Sequence, residues 1–200
     1  LHLSIRRQRQ MCIRDSVDRV LKATGAQKVD LIGHSQGGGP LPRAYIKYYG
    51  GAKKVHHLVG LVPSNKGTSM LGLEKFLNAS GNPLNTIFNA VAQFRNLGSL
   101  PQQLQDSTFL RELNADGMTV PGITYTVIAT RFDNRVFPWT NTFINEPGVK
   151  NIVIQDVCPL DHSAHTNIPY DPMTFQIVIN ALDPERAAPV ICTIRPFRPR

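Results

Sequence analysis

Five residues, Gly33-His34-Ser35-Gln36-Gly37, set a serine between two glycines in a G-x-S-x-G pattern. Such a pentapeptide is a weak signal alone, and its surroundings decide its weight. Here it follows the apolar run Lys28-Val29-Asp30-Leu31-Ile32 and leads through Gly38 and Gly39 into a segment that reads as helix. A strand that turns abruptly into a helix has no room for side chains beside the turn, so glycine is expected at Gly33 and Gly37. The strained residue between them projects its hydroxyl outward. Ser35 Oγ would then be a nucleophile for acyl transfer, with the backbone N–H of Gln36 at the helix start donating to the oxyanion. The alternative, a glycine-rich turn that binds phosphate, finds neither G-x-G-x-x-G nor a P-loop lysine here.

A serine hydroxyl attacks at neutral pH only if an imidazole takes its proton and a carboxylate holds that imidazole. With a strand–turn–helix nucleophile, the acid and then the histidine are expected on loops after later strands. Asp133 follows the β-branched run 124–130 and is the only carboxylate before Glu146. Its alternative role is a turn-forming Asx residue. Two histidines, His162 and His165, follow the apolar run 151–155, and spacing does not choose between them. Asp156 and Asp161 lie close enough to suggest a metal site, but no i, i+4 helical pair or second cluster supports one. Neither a metal nor a cofactor is expected. His34 is inside the turn, and His56 and His57 fall on a core strand.

The elements needed to position these residues are legible as an alternation. Ser16 caps a short helix with Val17, Val20, Leu21 and Thr24 on one face. Strands are expected over 28–33, 55–62, 124–130 and 151–155. Helices are expected over 38–49 and, from Phe175, Val178, Ile179 and Leu182, near the C-terminal end. Strands alternating with helices predict a parallel sheet. The sixty residues 63–122 are too long for a plain crossover and predict a cap or lid over the strand ends. Leu84, Ile87, Phe88 and Val91 would form one helical face of it, and 108–113 another helix.

With 42% hydrophobic and 18% charged residues, the 200-residue chain suits one packed domain and is too apolar for a disordered one. No window approaches the roughly 18 apolar residues of a membrane span. The net charge of +8 would suggest nucleic acid, but much of the excess sits in Arg6, Arg7, Arg9 and Arg14 at one end and Arg195, Arg198 and Arg200 at the other. Basic ends on a balanced body read as solvated tails rather than a phosphate-tracking groove, so no nucleic-acid partner is expected. Residues 7–16 lack periodicity and resemble translated sequencing-adapter sequence, so residues 1–16 are expected to be a non-native arm and 17–200 the domain. Of the three cysteines, Cys158 and Cys192 lie outside that arm. They either close one loop or are two unrelated buried thiols.

Several stretches together carry a family resemblance: Val29-Asp30-Leu31-Ile32-Gly33-His34-Ser35-Gln36-Gly37-Gly38, Leu61-Val62-Pro63-Ser64-Asn65-Lys66-Gly67-Thr68, 125–133 and 151–159. In order, over 17 to about 192, they resemble the secreted bacterial triacylglycerol lipases of the α/β-hydrolase class, the lipase class 2 family. The resemblance implies an α/β-hydrolase fold with a helical cap, Ser35 as nucleophile, Asp133 as acid and His165 as base, since the family histidine stands three residues before an isoleucine, here Ile168. It implies a disulfide using Cys158, for which Cys192 is the remaining partner, and an extracellular location. It also implies that strands and the loop carrying a second oxyanion donor would lie upstream of Val17, so the chain is expected to be partial and a poor catalyst as written. Members often carry a further cysteine pair in the cap, near Gln102 and Gln103; this sequence has none there.

The expected function is hydrolysis of carboxylic esters, foremost triacylglycerols, through an acyl-enzyme. Leu84, Phe88, Val91 and Phe94 would line an acyl groove or meet a lipid–water interface. A short-chain esterase or acyltransferase, and a catalytically inactive hydrolase-like binding protein, are the alternatives.

Overall fold

A computed structural model describes the backbone of residues 2–69 and 101–192, and the side chains of 11–69 and 101–192. Four strands, β1 (Val29–His34), β2 (Val55–Leu61), β3 (Thr124–Ala129) and β4 (Lys150–Val153), form one parallel sheet in the order β1-β2-β3-β4. The parallel sheet expected from the alternation is therefore present, with each strand within two residues of its expected ends. Because every strand runs the same way, the loops that leave β1, β2, β3 and β4 gather along one edge of the sheet, where ligands bind in open α/β folds.

Alternate residues of a strand face opposite ways, and two cores result. On one face Val59, Leu61 and Ile128 pack with Ile154, Cys158 and Ile168 and with Met173, Ile177 and Val178 of the C-terminal helix. On the other, Leu58, Tyr125 and Val127 pack against Val17, Tyr45 and Ile46. Among the described residues there are five α-helices: α1 (His2–Thr24), α2 (Pro40–Tyr48), α3 (Thr108–Asn114), α4 (Ile154–Val157) and α5 (Pro172–Leu182). Both α3 and α5 begin at a capping side chain: Ser107 Oγ accepts from Leu110 N, and the Asp171 carboxylate from Thr174 N.

Three elements differ from their sequence reading. The first helix starts not at Ser16 but at His2, and it runs across the expected boundary between arm and domain. Residues 7–16 hold no proline or glycine, and Ile13, one turn before Val17, packs on the same core. The last strand ends at Val153, so Ile154 and Gln155 open the single helical turn α4. The helix after the serine is split: Ser35–Gly38 is a 3₁₀ turn, and α2 begins only at Pro40. Of the expected cap, α3 is observed, while Leu84, Ile87, Phe88, Val91 and Phe94 lie outside the described residues.

The two cysteines are joined, with their Cα atoms 5.2 Å apart. Cys158 is wholly buried in the first core, and Val190 of the C-terminal segment packs partly against the same core. The alternative of two separate thiols is thereby set aside.

Tight turning at the end of β1 is sterically real, but its glycine requirement is displaced by one residue. A Cβ at Gly33 would lie 1.9 Å from the carbonyl oxygen of Gly37, and one at Gly38 would lie 2.1 Å from the carbonyl oxygen of Gly33. At Gly37 nothing lies within 4 Å. The motif's second glycine is thus free of the clash expected of it, and Gly38 carries the constraint.

Two outcomes follow for stability. Gly33→Ala should lose about 3 kcal/mol or more in denaturant unfolding, because backbone must move, while Gly37→Ala should stay within about 0.5 kcal/mol of the parent. Cys192→Ser should cost roughly 3 to 4 kcal/mol by the chain-entropy account of a 34-residue loop. Thermal melts with and without reductant check it: a reductant-insensitive parent would contradict the assignment.

Candidate active site

The carboxyl ends of three strands supply the candidate residues. Ser35 follows β1 directly and holds φ of 55°, a left-handed backbone rare for a residue with a side chain. Val62, just after β2, holds φ of 41°, which is rarer for a β-branched residue; its N–H donates to Ile128 O at 2.7 Å, fixing the strained turn to β3. Two strained turns thus stand side by side, each at the end of a buried strand.

Asp133 lies on the loop after β3, and its carboxylate is withdrawn from water. Backbone N–H groups of Arg135 and Val136 each donate to Asp133 Oδ1 at 2.8 Å. His165 comes from the loop after α4. Its Nδ1 donates to both Asp133 oxygens, at 3.0 and 2.9 Å. Since a carboxylate only accepts, Nδ1 carries a proton; in a neutral imidazole with that tautomer the lone pair is on Nε2, as a general base requires.

The structure separates the two histidines that spacing could not. His165 is buried on Asp133, whereas His162 is exposed and lies against the Phe132 ring at 5.0 Å between centroids. Asp156 pairs with Arg131 at 2.6 Å, and Asp161 Oδ1 accepts from Ser163 N at 2.7 Å. Among the described residues no group of three His, Cys, Asp or Glu could hold a metal ion.

Ser35 meets the imidazole through its neighbour. His34 Nε2–H donates to the backbone carbonyl of His165 at 2.8 Å, and the two rings stand 4.8 Å apart. Burial holds the His34 imidazole below its ordinary value, against the opposing pull of that carbonyl. The neutral ring still donates. Among the described residues no hydrogen bond joins Ser35 Oγ to His165. The arrangement places a serine on a strained turn, a proton-accepting nitrogen and a buried carboxylate at one edge of the sheet.

Residues that sequence reasoning passed over hold this edge in place. Gln155 and Thr130 bond to the acid and histidine loops together. Their signal was a polar pair at the ends of apolar runs. Behind α2, Arg43 is 1% exposed and donates to Met118 O, Asn114 Oδ1 and Asn65 Oδ1. Burial pushes its guanidinium down to about 10. That asparagine oxygen would lie 2.6 Å from a Cβ at Gly39, so the start of α2 is pressed against the loop after β2.

Comparison with solved structures places the fold. Aspergillus fumigatus lipase B superposes with a TM-score of 0.66 at 21% identity, over 90% of this chain and 41% of that one. Bacillus licheniformis lipase BlEst2 in its mature form gives 0.59 at 15%, over 87% and 73%. The lin2722 product of Listeria innocua gives 0.56 at 12%, over 95% and 71%. The chain thus spans less than half of the Aspergillus lipase. At these identities the likeness speaks for the fold, which is that of the α/β-hydrolases. Comparison with curated protein sequences found no match. The family model for class 2 lipases matches residues 7–178, most of the chain and every strand of the sheet. This chain belongs to the class 2 lipase family, on an α/β-hydrolase fold.

Proposed function

We propose that the chain carries the catalytic centre of a carboxylic ester hydrolase acting on acylglycerols, with Ser35 as nucleophile, His165 as base and Asp133 as the acid that orients it. The observation that carries this reading is the buried His165, whose Nδ1 bonds to both Asp133 oxygens and whose backbone carbonyl accepts from His34, the residue next to Ser35. Family membership supports the ester-hydrolase class.

In this mechanism Ser35 Oγ attacks the ester carbonyl while His165 Nε2 takes its proton. Asp133 stabilises the imidazolium without itself accepting the proton. Gln36 N–H donates to the developing oxyanion. Collapse expels the alcohol, protonated by His165, and leaves an acyl-serine; water, deprotonated by the same nitrogen, then releases the fatty acid. Exposed Phe132, Phe137 and Leu160 on the loops around this edge give apolar surface suited to a lipid–water interface. The disulfide supports an oxidising, extracellular setting, and among the described residues no helix is long and apolar enough to cross a membrane.

A fluorophosphonate probe should label the protein and fail to label Ser35→Ala; an unlabelled parent would favour an inactive, binding homologue. His165→Ala should lower kcat by several orders of magnitude, because members of such a unit fail together. His162→Ala should cost far less, and a reversed order would overturn the choice of base. Turnover on triacylglycerol emulsions against soluble short-chain esters tests the substrate class.

A further inference from the structure

The candidate acid and base hang from different loops, one after β3 and one after α4, and their contact is made at the loops' ends. Between the loop bases lies Gln155, 7% exposed, on the first turn after β4. Its Oε1 accepts from Arg131 N at 2.9 Å. Its Nε2 donates to Thr130 Oγ1 at 3.0 Å and to Asp161 O at 3.1 Å. The Thr130 hydroxyl, fully buried, donates in turn to Ser163 O at 2.6 Å and accepts from Phe132 N at 3.2 Å. One amide and one hydroxyl thus grip the backbone at 131 and 132 on the acid side and at 161 and 163 on the histidine side. Asp133 stands one residue beyond the nearer grip on its side, and His165 two beyond the nearer grip on its own.

A buried primary amide is costly unless its donors and acceptor are matched. Here the matches are spent on the two loops that carry the proton-transfer pair. A misplacement of about 1 Å in such a pair can cost about 10²-fold in rate. We propose that Gln155, acting with Thr130, is a positioning residue that holds the Asp133 carboxylate and the His165 imidazole in bonding register. It touches no reacting atom. The assignment rests on the reading of Ser35, Asp133 and His165 as the catalytic unit.

The test uses three variants of the purified full chain. Gln155→Met keeps the volume and removes all three hydrogen bonds; Thr130→Val keeps the shape and removes the hydroxyl; Thr130→Ser keeps the hydroxyl. The first two should lower kcat for ester hydrolysis about 10- to 100-fold with little change in KM, and Thr130→Ser should stay near the parent. Adding Gln155→Met to Asp133→Ala should cost nothing more in kcat, since the residue acts through that carboxylate. In proton NMR, the downfield imidazole N–H resonance that disappears in Asp133→Ala should broaden or vanish in Gln155→Met and Thr130→Val and persist in Thr130→Ser. If Gln155→Met does not fold, the Thr130 pair decides by the same readouts. Parental kcat and resonance in Gln155→Met or Thr130→Val, beside an inactive Ser35→Ala, would overturn the positioning role alone, as would full additivity with Asp133→Ala. Full turnover in Ser35→Ala would overturn the catalytic reading and this one with it.

Discussion

A carboxylate removed from water has to be met by donors or abandon its charge, and the site is built around that requirement at Asp133. Two backbone N–H groups and one imidazole N–H answer it. The backbone pair turns the chain through 133–136, as an Asx residue does in any loop. The turn-forming reading is met by the N–H groups of Arg135 and Val136, and the same carboxylate accepts from His165 Nδ1, as the proposed acid would. Of the two histidines that the sequence offered, His165 is the one bonded to this carboxylate.

Charged side chains also tie α2, the helix after the serine turn, to α3. Arg43 and Lys47, one turn apart on α2, reach the region where α3 ends. Lys47 Nζ donates to Leu113 O and Gly117 O, both at 2.9 Å, and Arg43 reaches the Asn114 side chain and Met118 O. Carbonyls at a helix C-terminus lack partners within the helix and carry partial negative charge, so cations suit them. The carboxylate of Glu146 accepts from the next two backbone groups, Met118 N and Thr119 N, and from the Thr119 hydroxyl. Burial pushes Glu146 up, but these hydrogen bonds and the nearby Arg43 outweigh it and hold the carboxyl below its ordinary range. α3 is thus anchored to α2 by charge as well as by the packing of Ala44 against Phe109, Leu110 and Leu113.

What could be read in the sequence is what depends on local pattern. Apolar runs gave the four strands, helical spacing gave α5, and the strand–glycine–helix pattern gave the turn at Ser35. The place of Asp133 on the loop after β3 was legible because few carboxylates competed for it. What escaped depends on contacts between distant segments. Gln155 looked like the end of a strand, and only the meeting of two loops reveals why an amide is buried there. Gly37 looked indispensable from the motif, yet the backbone approach that excludes a side chain falls at Gly38. A buried Arg43 is invisible on a helix whose pattern permits a surface cation. The start of α1 is not legible because residues 7–16 show no periodicity, yet helix-compatible residues and one apolar contact at Ile13 extend the helix.

The bond from His34 to the His165 carbonyl joins residues 131 positions apart, whereas Asp133 and His165 are 32 apart. By loop-closure scaling the longer closure costs only about 1 kcal/mol more, so the equilibrium hardly notices the distance. Kinetics does. Contacts of high sequence separation dominate this parallel sheet, and high contact order slows folding because chain entropy is lost before the pairing that rewards it. His34 meets His165 only once the chain between them has been laid down as β2, β3 and β4. Assembly of this edge therefore reports completion of the whole sheet, and a nascent or partly unfolded chain with intact local structure would hold all three side chains while having no site.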